Sequence, residues 1–305
     1  MKKYGTVLWL ALVWSLFYIV VNALNKQLSP IATGSAIRVV STLLLTLIMA
    51  FGKSLHKLRC PKRIIPWLIA IGCLGFLLDF TSFIGLQHAN AGTGTVLLKI
   101  DVIFVQILSI FIYREKFDKF DWLLTFVMLG GVMLVMGVNP FDMKFQATDL
   151  FFVLSALFVT INAFLIKHVH NIYAEVTKSS DKSIINNVIA YYNNGVAMLL
   201  FFAAAFITGD FVQVQAAYTQ SPLVWIVVLG GLGQVLIYTF YYKSLGKHEV
   251  WIVKIILLLI PVITLVIETI YTRQMPALDK CLGIVIVLTT AAIVIRKHGK
   301  KSANT

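Results

Sequence analysis

Apolar positions run in blocks of about twenty residues from Gly5 to Ile295, and short polar hinges separate the blocks so regularly that no water-soluble domain fits between them. A helix rises 1.5 Å per residue, so roughly 20 apolar residues cross the ~30 Å hydrocarbon layer, where lipid offers no hydrogen bond to a non-helical backbone. The pattern therefore predicts an all-α membrane protein with ten transmembrane helices. Their expected spans are about 5–24, 31–51, 65–87, 91–113, 118–138, 148–170, 188–208, 222–243, 249–271 and 278–296. Met1-Lys2-Lys3 before the first apolar run imitates a secretory signal, but no small-x-small cleavage site precedes Asn25-Lys26, so the run is read as a retained first helix.

Composition agrees with the pattern: 59% of residues are hydrophobic, 13% are charged, and mean hydropathy is +0.87. A net charge of +13 would suggest nucleic acid in a soluble chain, yet here its distribution carries a different message. Nineteen of the 26 lysines and arginines fall on one alternate set of hinges, including Lys53, Lys57, Arg59, Lys62 and Arg63 after the second span and Arg114, Lys116 and Lys119 after the fourth. The opposite hinges hold Lys26, Lys144, Arg273 and Lys280. The positive-inside rule then places both termini in the cytoplasm of a multi-pass plasma-membrane protein. The basic tail from Arg296 to Lys301 reads as a topology signal beside anionic lipid, and no nucleic-acid partner is expected. Cys60, Cys73 and Cys281 are too scattered for a disulfide framework, no Cys or His pair has metal-ligand spacing, and no cofactor is expected.

Residues 82–136 lie over 241–295 with a shift of 159, which matches Leu86 with Leu245, Leu98 with Leu257, and the hinge Arg114-Glu115 with Arg273-Gln274. The chain thus divides into a first five-helix unit over 1–140 and a second over 141–305; within the second, the polar loop from about 171 to 187, with Lys178-Ser179-Ser180-Asp181-Lys182, is longer than its counterpart near Asn25 to Pro30. Five helices is an odd number, so the second unit crosses the membrane in the opposite sense, an inverted repeat of the kind that secondary transporters use.

Further features carry a family resemblance. Trp14-Ser15, Asn22, Ser29-Pro30 and Ala36-Ile37-Arg38 open the chain; Gly85-Leu86-Gln87-His88-Ala89-Asn90-Ala91-Gly92 leads on to Arg114-Glu115, and Leu259-Ile260-Pro261-Val262 follows in the second unit. In this order, over the whole chain, they resemble the drug/metabolite transporter superfamily, EamA type. The chain departs from that pattern at Val102, where the first unit would carry Pro, and at Gln274, which replaces the second unit's acid. The resemblance implies a gradient-driven exporter or exchanger of a small metabolite, such as an amino acid, sugar or drug.

Within the spans sit Arg38, Asp79, Lys99, Asp101, Lys254 and Glu268, each costing about 2.5–3.5 kcal/mol at the bilayer centre if left alone. Helical spacing puts Gly92, Thr95, Lys99, Gln106 and Tyr113 on one face of a continuous fourth span, with Lys99 the leading substrate-binding candidate. Asp101 is rotated by about 200° from Lys99 and is expected to meet a base on another helix. Asp79 suits a substrate amine or a coupling proton, or else an ion pair with Lys99 or Arg38. Arg38 is read evenly as a substrate contact or a structural partner. Lys254 and Glu268 lie near their helix ends and are expected to snorkel. Polar-aromatic stripes of Trp14, Tyr18, Asn22 and Asn25, of Asn187, Tyr191, Asn194 and Met198, and of Gln234, Tyr238 and Tyr241 complete a candidate lining. Trp9, Trp67, Trp122, Tyr241 and Tyr242 instead suit an interfacial belt.

The expected function is export of an amino acid or related metabolite by alternating access, through a monomer or homodimer in the lipid bilayer, with a coupling proton as a possible partner. The alternatives are an organic-phosphate or nucleotide-sugar antiporter and, from another class, an intramembrane transferase. The transferase is disfavoured because His56, His88, His168, His170, His248 and His298 have no acidic partner at motif spacing. Buried charges of mixed sign likewise suit a binding site better than a channel's single-sign ring.

Overall fold

The computed structural model describes residues 4–88, 91–139, 146–177 and 182–301, and every regular element among them is helical. The first half comprises α1 (Gly5–Asn25), α2 (Pro30–Phe51), α3 (Ile65–His88), α4 (Ala91–Leu98), α5 (Asp101–Tyr113) and α6 (Lys119–Val135). The second comprises α7 (Leu150–Thr177), α8 (Lys182–Thr208), α9 (Phe211–Thr219), α10 (Leu223–Lys247), α11 (Val250–Leu257), α12 (Ile260–Thr272) and α13 (Leu278–Lys301). Lys144 and most of the hinge Lys178-Ser179-Ser180-Asp181-Lys182 lie outside the described residues, as does the side chain of Thr95.

Helix ends follow local chemistry. Ser29 Oγ accepts from the Ala32 N–H at 3.1 Å and Pro30 occupies the first turn, where its missing N–H costs nothing. Asp118 and Asp121 cap α6 reciprocally, at 2.8 and 3.2 Å. Nine stretches among the described residues are long and apolar enough to cross a bilayer. The remaining expected span, the fifth (118–138), coincides with α6, whose 17 residues reach roughly 25 Å at 1.5 Å each, short of the full hydrocarbon layer. Helices α7 and α8 extend beyond the expected spans 148–170 and 188–208, and the polar hinge before α10 contains the unforeseen α9, where Tyr218 donates to the Ala36 carbonyl at 2.7 Å.

Two expected helices are broken. Between α4 and α5 the N–H groups of Lys99 and Ile100 bond three residues back, to Val96 and Leu97, at 2.9 and 3.1 Å. Between α11 and α12, Leu258 and Leu259 do the same to Ile255 and Ile256, at 3.1 and 3.0 Å. Tightened turns of this kind interrupt the helical ladder. Pro261, with no N–H to donate, explains the second break; in the first, Asp101 begins a new helix at its favourable N-terminal end. The pairs of starts Ala91 and Val250, Asp101 and Ile260, and Lys119 and Leu278 are each separated by 159 positions, and so are the left-handed ends Arg114 (φ 52°) and Arg273 (φ 54°).

Packing has the same exchange. Helix α1 lies along α10 and touches α11 and α12, while α7 lies along α3 and touches α4 and α5. Helix α2 meets α8, α6 meets α13, and α5 meets α11. Small residues set the close approaches. A methyl placed on Gly72 of α3 would lie 2.5 Å from Val196 Cβ on α8, and one on Gly283 of α13 would lie 2.7 Å from the Gly131 carbonyl of α6. Most of the buried side chains of both halves belong to one cluster running through Leu10, Leu68, Met128, Ile166 and Leu245.

Candidate functional site

Helices α1, α2, α3 and α10 and the two helix breaks enclose a cavity, about 180 Å³ of which is open to the centres of water-sized molecules. Of the expected lining, Trp14, Tyr18, Arg38, Asp79, Lys99, Gln234 and Tyr238 stand on its wall.

Others lie elsewhere. Asn22 is exposed, one helical turn outside the wall made by Trp14 and Tyr18. Gln106 is fully buried and donates to Thr125 Oγ1 at 2.7 Å, bonding α5 to α6. It parts from Lys99 because the break at 99–100 ends the continuous face that would have joined them. Tyr191 is reached by Thr46 at 3.5 Å, away from the wall. Asn194 stands behind Arg38: its amide donates to the Arg38 carbonyl at 2.9 Å and to Thr42 Oγ1 at 2.5 Å, which bonds α8 to α2.

The wall also holds Tyr241, which the stripe through Gln234 and Tyr238 did include, and residues that the stripes did not select. Asn193 replaces Asn194 as the inward amide of α8 and donates to the Tyr242 hydroxyl at 2.5 Å. Tyr242, expected at the interface, and Tyr241, expected either there or in the lining, are 1% and 5% exposed and face inward. Asn162 of α7 lines the cavity too. The spacing Gln234, Tyr238, Tyr241, Tyr242 is one helical face and is the signal that would have found Tyr242. Trp14 meets Tyr241 edge-on at 5.6 Å, and Tyr238 stacks on Tyr242 at 5.3 Å.

The charges are arranged in two pairs and a remainder. Arg38 Nη2 donates to Asp79 Oδ2 at 2.5 Å, its Nη1 bonds the Tyr238 hydroxyl, and the side chain is 3% exposed. Lys254 Nζ donates to Asp101 Oδ2 at 2.8 Å, tying α11 to α5. Asp101 thus meets its base on another helix, as its angular position requires. Lys254, by contrast, does not snorkel: at 3% exposure it is held inside by that carboxylate, which relieves the cost of burial that an isolated ammonium would escape by reaching for water. Lys99 is the remainder. Among the described residues no carboxylate lies within 4.0 Å of its Nζ, which stands 5.9 Å from the centre of the Tyr18 ring.

Outside the spans, one end of the bundle carries further acids. Lys297, 2.6 Å away, and the Asp121 N–H hold the Asp118 carboxyl down at about 2. Desolvation, reinforced by the charge of Glu249, pushes Glu115 up to about 7. No group of three His, Cys, Asp or Glu side chains among the described residues is placed to hold a metal ion.

These features fit known proteins. One solved crystal structure of a protein superposes on the chain with a TM-score of 0.73 at 13% identity, covering 96% of both chains, which shows the fold alone. The uncharacterized transporter YxxF of Bacillus subtilis (strain 168) is 24% identical over 204 residues, a stretch that is 65% of this chain and 60% of that protein's length. The model of the EamA-like transporter family matches twice, at residues 1–137 and again at 146–296, nearly the whole chain. A multi-pass helical membrane protein with a charge-bearing cavity beside its helix breaks, this chain belongs to the EamA-like transporter family.

Proposed function

We propose that this membrane transporter is a secondary active carrier that exports a small organic metabolite, of about the size of an amino acid, by alternating access. The observation that carries the reading is the central cavity, where two helix breaks bring Lys99, the Asp101–Lys254 pair and an aromatic wall together. Broken helices at a shared site are the architecture in which half-helix ends meet a substrate. Lys99 takes the substrate's acidic group and Trp14, Tyr18 and Tyr241 take its body, while Arg38 and Asp79 act together as a wall-bracing pair.

The two halves act as inverted repeats. This reading is supported by the 159-residue offset of the helix breaks, by the two family matches, and by the exchange of packing partners between α1 with α10 and α7 with α3. Rocking one half against the other opens the cavity first to one side and then to the other, and a proton gradient is the proposed energy source.

A second reading, an antiporter of organic phosphates or nucleotide-sugars, is favoured by three cations on one wall. A transferase would need a catalytic set near one membrane face, and the charged and amide groups on this wall are instead spread over α2, α3, α7, α8, α10 and the helix breaks.

Reconstituted proteoliposomes test the carrier. Labelled amino acids, organic acids, sugars and phosphorylated compounds are offered with and without a pH gradient. Saturable flux, accelerated by unlabelled compound on the opposite side, is expected. Flux of phosphorylated compounds alone selects the antiporter, and no flux of any class refutes the carrier.

A further inference from the structure

The charge inventory of the cavity restricts what it can hold. Its wall carries Arg38, Lys99 and Lys254 against Asp79 and Asp101, so among the described residues the lining has one cation in excess. Both carboxylates are already engaged, Asp79 by Arg38 at 2.5 Å and Asp101 by Lys254 at 2.8 Å. Arg38 is further held by Tyr238 and by Asn194, and Lys254 Nζ lies 5.5 Å from the centre of the Tyr241 ring. Among the described residues Lys99 alone of the three has no carboxylate within 4.0 Å, although the residue is only 9% exposed. Desolvated charge is costly unless paired, so the missing partner defines the guest.

We propose that the substrate is an organic anion with one net negative charge and no cationic centre, which completes an ion pair with Lys99. This inference rests on the carrier reading and narrows it. A zwitterion satisfies Lys99 with its carboxylate but brings an ammonium that finds neither carboxylate free, and an amine adds a second unpaired cation. The anion brings the lining to neutrality. The remainder of the guest lies against Leu78, Phe83, Ile237 and Leu257, so an apolar or aromatic body suits it better than a sugar.

The test is equilibrium binding to purified protein in lipid nanodiscs at pH 7.5, with matched sets of one skeleton and different charge. One set is 3-phenylpropionate, phenylalanine and phenethylamine; a second is 4-methylpentanoate, leucine and isoamylamine; 3-phenylpropanesulfonate supplies an anion that does not protonate. At least one anion is expected to bind tenfold or more tightly than the amino acid and the amine of its set, with the preference lost in Lys99→Met and kept in Lys99→Arg. The arginine variant also separates loss of charge from loss of fold. Equal or tighter binding of the amino acid, a preference that survives Lys99→Met, or no binding of any anion overturns the proposal. Saturable proteoliposome flux of amino acids without binding of their acids would end the anion assignment and leave the carrier standing, whereas absence of all flux would end the carrier itself.

Discussion

Lys254 and Asp101 show how one contact decides a residue's role. From position alone, Lys254 lies near a helix end and has a route to water; in the folded chain it is 3% exposed and donates to Asp101 at 2.8 Å. Removing one partner of a buried pair strands the other charge, so Lys254→Ala is expected to cost about 3–5 kcal/mol, while the double variant Lys254→Met with Asp101→Leu recovers most of it. Denaturant-induced unfolding in detergent measures both, and a double variant as unstable as the single one refutes the argument. Glu115 offers a pH-dependent case. Its Oε2 is buried without a hydrogen bond and its carboxyl titrates near about 7, above the ordinary value, so the folded protein favours the protonated form. The stability this group supplies is complete below its unfolded value of about 4.3 and is lost as pH rises through about 7. Glu115→Gln is therefore expected to raise the melting temperature at pH 8, with the gain shrinking towards pH 5. A gain independent of pH would contradict this.

Elements were legible in proportion to how far local rules governed them. The Ser29-Pro30 start of α2 was visible in the sequence because its cap is made by neighbouring residues. The break after Lys99 was not, because Val102 supplies no proline and the run 91–113 is long enough to read as one continuous span. The face from Lys99 to Gln106, drawn through that break, consequently failed, and Gln106 went to Thr125 instead. Likewise Asn193 rather than Asn194 faces the cavity, since a rotation of one residue on a helix with amides at both positions is set by its neighbours. The α6–α13 contact makes a prediction at this scale. With 2.7 Å between a Gly283 methyl and the Gly131 carbonyl, Gly283→Leu must push the two helices apart. Overpacking of this kind costs typically 1–3 kcal/mol, read as a lower melting temperature, while Gly130→Ala, where a methyl meets nothing within 4 Å, is expected to change little.

At the scale of the whole molecule, orientation is the property that charge distribution predicts and packing does not. With the basic hinges inside, Cys60 lies on the cytoplasmic side and Cys281 on the other, and both are free thiols. A membrane-impermeant maleimide is expected to label Cys281 in intact cells, and Cys60 only after the membrane is opened. The reverse pattern would invert the topology, and equal labelling of both would refute the odd-numbered five-helix unit.

The sequence by itself determined what depends on solvent and on neighbours along the chain: apolar blocks long enough for lipid, an all-helical backbone, the family, and the ionisable residues that had to find partners inside. Tertiary structure decided which partners they found. Arg38 chose Asp79 over the other readings open to it, Lys254 was drawn inward to Asp101, Tyr241 and Tyr242 turned to the cavity, and Lys99 was left without a carboxylate. Those outcomes turn on distances of a few ångströms between residues far apart in the chain, and on helix breaks that rotate one half-helix against the next. Coulombic and hydrogen-bond energies in a low-dielectric interior vary steeply over such distances, so the function of a buried charge is fixed by its nearest partner rather than by its place in the chain.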